Sequence, residues 1–116
     1  MAGQKVLRIT GLGSDPVAAS ATFHAEWLMH IAQVMDQGPE SLVLIFELAD
    51  HTHRDWQLAV VRSLARTHSP VRVNAVAGEA DSVAAALLYL EAAPGITGQY
   101  LMLDSQGAGD AVASLA

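Results

Sequence analysis

The segment Asp50-His51-Thr52-His53-Arg54 concentrates side chains that can do chemistry: a carboxylate, two imidazoles two residues apart and a guanidinium. Nitrogen and oxygen donors of this kind bind zinc or nickel. Ligands two apart share a face only in an extended segment, however, and this stretch lies where a strand gives way to a helix. No third protein ligand stands at a matching spacing. The pattern therefore reads as polar residues solvated at a helix start, with Asp50 and Arg54 set four apart for an ion pair worth about 0.3 kcal/mol.

A second segment, Gly11-Leu12-Gly13-Ser14-Asp15-Pro16, is a glycine-rich turn between a strand and a helix. Backbone N–H groups in that setting cradle phosphate. Here Asp15 puts a carboxylate at the helix start and Pro16 removes a donor, so the turn reads as a capped helix junction. Ser14, a histidine and Asp104 do not form a credible triad, because no G-x-S-x-G nucleophile turn occurs. His24 and His30 read as ordinary helix residues. His68 suits the negative end of a helix dipole. No cysteine is present, which excludes thiol nucleophiles, thiolate metal sites and disulfide scaffolds.

The elements that must position these groups follow from apolar periodicity and turn residues. Lys5 to Thr10 reads as a strand. Asp15-Pro16 opens a helix that runs to Gly38-Pro39. Ser41 to Leu48 (SLVLIFEL) is a near-continuous apolar run, the mark of a strand covered on both faces. Thr52 with Asp55 resembles a capping box opening a helix to about Thr67, and Ser69-Pro70 ends it. Val71 to Ala77 is a third strand. Asp81 or Ser82 caps a helix to about Ala92, and Gln99 to Asp104 is a last strand. The order β-α-β-α-β-α-β predicts an α/β fold with parallel pairing and right-handed crossovers. Glu47, Asp50, His51, His53, Arg54 and Glu79 then fall at the C-terminal ends of the strands, where open α/β sheets bind ligands, and form the candidate pocket.

Composition bounds the function. The 116 residues fit one domain, with a core over 1–104 and a weakly patterned tail over 105–116. Twelve acids against six bases give a net charge of −6, so no basic face is available for nucleic acid. No apolar run reaches the ~18 residues of a membrane span, and the N-terminus lacks the apolar core of a signal peptide. The expectation is a soluble, cytoplasmic protein. Its apolar share of 52% and mean hydropathy of +0.30 are high for so small a domain, which points to a surface covered by a partner.

Three segments resemble the short-chain dehydrogenase/reductase family. Leu58 to Ala77 (LAVVRSLARTHSPVRVNAVA) is similar to that family's stretch from its catalytic helix into the sixth strand. Ile96 to Asp104 (ITGQYLMLD) resembles its last strand, with the "ITGQ…VD" signature. Val83 to Ala92 (VAAALLYLEA) resembles the helix between them, written in many members as "VAxAVLFLAS". More loosely, Lys5 to Ser14 (KVLRITGLGS) matches the spacing of the opening "KVALVTGAGS", and His24 to Leu48 has the look of the helix and strand before the catalytic serine. The resemblance implies a three-layer, Rossmann-like fold with a small parallel sheet of about four strands, truncated to the carboxyl half of the family's 3-2-1-4-5-6-7 sheet. The first strand then takes the place of the family's first or fourth strand.

The same resemblance places no working chemistry on the chain. The family's glycine-rich form, TGxxxGxG, is matched at Gly11, but its later two glycines fall on Asp15 and Val17. Its Tyr-x-x-x-Lys falls on Asp50 and Arg54, and its serine falls near Glu47. Gly78-Glu79 stands in place of the family's Pro-Gly, and Asn74 matches a structural hydrogen-bonding position. Neither cofactor nor metal is implied. Family members associate through the two helices flanking the fifth strand, which correspond to 16–36 and 52–67 here. The expectation is a catalytically degenerate subunit that forms a homo-oligomer through faces including Trp27, Met35, Trp56 and Val60, or pairs with a full-length family member. The alternative is a small oxidoreductase-like or other small-molecule enzyme working at the candidate pocket.

Overall fold

The structure is a computed structural model that describes residues 3–103; Asp104 and the expected tail lie outside the described residues. Strand β1 (Gln4–Ile9) is followed by helix α1 (Pro16–Thr22), which passes through a π-helical turn, Phe23–Trp27, into α2 (Leu28–Met35). Strand β2 (Ser41–Phe46) leads through a 3-10 turn, His51–His53, into α3 (Arg54–Thr67). Then come β3 (Arg72–Ala77), α4 (Ala80–Glu91) and β4 (Tyr100–Met102). The strands form one all-parallel sheet in the order β1-β2-β3-β4, with registers that include Leu7↔Leu44, Val43↔Asn74 and Val76↔Leu101. β1 pairs directly with β2 along its whole length.

Alternation of side chains across the sheet sorts the core into two layers. Leu42, Leu44 and Phe46 of β2, with Val73 and Ala75 of β3, pack beneath Phe23, Ile31, Val61 and Leu64 of the helical layer α1–α3. Val43, Ile45 and Val76 point the other way, onto Val83, Ala86 and Leu90 of α4, with Leu101 and Leu103 beside them. Helices on both faces make the three-layer α/β architecture that the sequence predicts. They also correct one expectation. The crossovers β2-α3-β3 and β3-α4-β4 advance the same way across the sheet but lie on opposite faces, so they have opposite hands. Right-handed crossovers throughout are therefore impossible here. The physical reason is β2 itself: all six of its residues are buried, and an apolar strand needs cover on both faces.

Two ends of the sheet are finished differently. At the β4 end, the buried Asn74 side chain donates from Nδ2 to the Ile96 carbonyl (3.0 Å) and accepts the Gln99 N–H at Oδ1 (3.0 Å). The Thr97 hydroxyl accepts the Val73 N–H at 3.0 Å. This is the structural role the resemblance implies for Asn74. At the other end, Val6 and Arg8 of β1, which pair with Val43 and Ile45, are exposed on the α4 side.

Local structure departs from the pattern at the starts of α3 and α4; α4 begins at Ala80 with Glu79 at the cap position, so Asp81 and Ser82 lie inside its first turn and neither is the expected cap. The first helix begins as expected, with Asp15 Oδ2 accepting the Ala18 N–H at 2.8 Å and Pro16 at the first position. The second begins later than Thr52, because Asp50 caps the 3-10 turn instead, through the Thr52 N–H (2.9 Å) and hydroxyl. None of the described helices is long and apolar enough to cross a membrane.

Candidate functional site

A cavity of about 270 Å³ opens at the C-terminal ends of β1 and β2. Leu12, Gly13 and Ser14 of the β1–α1 turn form one wall, Phe46 to Asp50 another, and His53 and Gln57 the floor toward α3. Of the residues proposed from sequence, Glu47, Asp50 and His53 line this cavity. His51 and Arg54 sit in the same turn, exposed and outside the lining, and Glu79 precedes α4 on the opposite face of the sheet.

The glycine-rich turn faces carboxylates. Its Gly11 N–H donates to Oε1 of Glu47 at 3.2 Å, and the Ala18 N–H in the first turn of α1 donates to Asp15. Gly11 and Gly13 both adopt positive φ (75° and 85°), which glycine alone takes without strain. The turn is thus built for a sharp reversal, with carboxylates bonded to the Gly11 N–H before it and the Ala18 N–H after it. Asp50 is exposed, and the hydrogen bonds from the Thr52 hydroxyl and N–H pull its carboxyl below the ordinary value, helped by the nearby His53 and His51. Asp50 bonds Thr52 rather than pairing with Arg54. Among the described residues no group of three or more His, Asp or Glu side chains is arranged to hold a metal ion.

His53 departs from the solvated reading. It is 3% exposed, with Nε2 at 2.9 Å from the Ser14 carbonyl and Nδ1 at 3.2 Å from the Trp56 indole nitrogen. Below it, Phe46 is the hub of a ring cluster, with centroids 5.9 Å from Phe23, 5.7 Å from Trp56 and 5.7 Å from Tyr100. The Tyr100 phenol donates to Oε1 of Gln57 at 2.7 Å, and burial pushes its pKa up to about 12, against a smaller opposing pull from Arg54. The sequence analysis missed Gln57. The signal was there: Gln57 stands four residues before Val61, a polar side chain on the buried stripe of α3.

A larger groove, about 560 Å³, runs along the outer side of the helical layer between α1–α2 and α3. Leu28, Ile31, Trp56, Ala59, Val60 and Leu64 give it an apolar lining, with His24 and His68 among its polar members. Trp56 and Val60, proposed from sequence for an interface, are both in it. Trp27 and Met35 instead pack half-buried against the core and do not line the groove.

Comparison with curated proteins gives no match, and neither does comparison with solved structures. A family model described as short chain dehydrogenase-like protein (SDR-like) matches residues 7–103, the whole of the described sheet apart from the first residues of β1. By that match the chain belongs to the short chain dehydrogenase-like family.

Proposed function

We propose that this protein is a non-catalytic subunit of the short-chain dehydrogenase type, which works by associating with a second copy of itself through helices 16–36 and 52–67. The observation that carries the reading is the apolar groove between α1–α2 and α3, a concave surface of about 560 Å³ on the helical pair the family uses to associate. Its lining is chemically suited to take apolar side chains from a facing helix layer.

The other end of the molecule supports the same reading. A dinucleotide pyrophosphate needs free N–H groups and no competing negative charge. The Glu47 carboxylate, on the Gly11 N–H, and the Asp15 carboxylate, on the Ala18 N–H, set two negative charges at the turn after β1. Open α/β sheets also bind ligands where the strand order reverses, and within residues 3–103 the order β1-β2-β3-β4 does not reverse. At the positions of the family's catalytic phenol and lysine stand the exposed Asp50 and Arg54.

Sedimentation velocity at micromolar concentration tests the proposal. A dimer or larger species is expected, and Ala59→Glu, which places a charge in the groove at an exposed position, is expected to return it to monomer. A monomer at every concentration would overturn the reading. Mixing with a full-length reductase of the family asks in the same instrument whether that protein is the preferred partner.

The cavity at the strand ends favours a second reading, a small-molecule enzyme. At about 270 Å³ it falls just below the usual range of ligand pockets, roughly 300–1,000 Å³. Turnover of any carbonyl substrate with NADH or NADPH, lost in Asp50→Asn, would support that alternative over the first.

A further inference from the structure

One hydrogen bond joins the cavity to the groove. His53 lines the first and Trp56 the second. A carbonyl oxygen can only accept, so the 2.9 Å contact of His53 Nε2 with Ser14 requires a proton on Nε2. An indole N–H can only donate, so the 3.2 Å contact of Trp56 with Nδ1 requires that nitrogen bare. Two partners of fixed sense thus select one tautomer of the neutral imidazole, with its proton on Nε2. A second proton, on Nδ1, would point at the indole N–H and break that bond.

Trp56 is otherwise held by ring packing, with centroids 5.7 Å from both Phe23 and Phe46. Its indole forms the groove wall beside Val60. We propose that His53 is a positioning residue for the association surface: the neutral imidazole fixes the Trp56 indole in the groove wall, and its protonation releases the indole and weakens self-association. This rests on the association reading above.

The charged and titratable groups around His53 come from several elements. Asp50, His51 and Arg54 belong to its own turn, Glu47 follows β2, and Asp15 adjoins Ser14. Asp50 is close enough to feel the charge of His53. His24, whose Nδ1 lies 2.7 Å from the Ser20 carbonyl, and His68 stand in the groove itself and supply a rival source of pH dependence.

The experiment follows the indole N–H resonance of Trp56 by NMR, assigned by its loss in Trp56→Phe, alongside sedimentation velocity. Both run from about pH 8 to pH 5, the range in which imidazoles change charge. The expected result is a sigmoidal shift of the Trp56 signal and about tenfold weaker association at the acid end, as for loss of one hydrogen bond. The shift of the Trp56 signal persists in the His24→Gln/His68→Gln double variant. His53→Gln abolishes the shift, and Trp56→Phe, which keeps an aromatic ring but has no N–H, removes the pH dependence of association. A Trp56 signal that stays flat while the protein remains associated overturns the inference and leaves the association reading intact. A signal that titrates in a protein monomeric at every pH overturns the association reading and leaves the His53–Trp56 link standing.

Discussion

Tyr100 donates its phenolic hydrogen to Gln57 Oε1 at 2.7 Å, which fastens the last strand to helix α3 across 43 residues of chain. Both partners are withdrawn from water: Gln57 is 3% exposed and Tyr100 is half-buried. In such a pair the loss of one member costs more than the loss of both, because it strands a polar atom. Tyr100→Phe is accordingly expected to lower stability by about 1–3 kcal/mol in urea unfolding. Adding Gln57→Leu to that variant should recover part of the loss. A double variant weaker than the single one would show that the bond is not the source.

The same phenol gives a pH prediction. Its pKa is raised to about 12 in the folded protein, mainly by burial, so the folded state holds the proton more tightly than the unfolded state. The stability this contributes is complete below the unfolded value of about 10 and is lost as pH rises toward 12. Ultraviolet titration should show one phenol that ionises only near that upper value. Unfolding midpoints should fall over the same interval, and in Tyr100→Phe that part of the fall should vanish.

Gly78 offers a steric test. A Cβ at this position would stand 2.8 Å from Leu103 Cβ and 3.2 Å from its carbonyl oxygen. Leu103 is buried against α4, so it has no room to retreat. Gly78→Ala is expected to destabilise by about 1–3 kcal/mol, as overpacking does. Gly95→Ala, where nothing lies within contact range, serves as the control in the same denaturation series.

The turn after β1 gives a functional test. Since Glu47 and Asp15 set carboxylates against its Gly11 and Ala18 N–H groups, NADH or NADPH at about 1 mM should leave the melting temperature unchanged, whereas a ligand selective for the folded state must raise it. Asp15→Ala should cost about 1 kcal/mol through the lost helix cap. A clear rise in melting temperature with either dinucleotide would contradict this account of the turn.

Much of the fold was legible because turn residues and apolar runs coincide. Asp15-Pro16 marked the helix start, Gly38-Pro39 its end, and SLVLIFEL the buried strand, which stops two residues earlier at Phe46. What was hidden depends on three-dimensional neighbours. The face taken by α4 cannot be read from its own residues, since it is set by the odd-numbered side chains of β2 left bare by the other helices. His53 looked like a surface residue at a helix start. Only the approach of Ser14, from 39 positions earlier, together with the indole three positions on, makes it an interior one. Asp50 and Glu47 were placed correctly at the strand ends, but their partners, Thr52 and the Gly11 N–H, turn them from free acids into caps.

The sheet order described above also governs how the molecule comes together. Each strand pairs with the one that follows it in the chain, through a single crossover. Among the described residues no strand has to wait for a distant segment or be inserted between two that are already joined. The entropy of loop closure is met in small steps, which favours rapid folding for a parallel sheet. On a ribosome, β1 and β2 can close before β3 has emerged, so these strands can be added to the sheet in the order in which they are made.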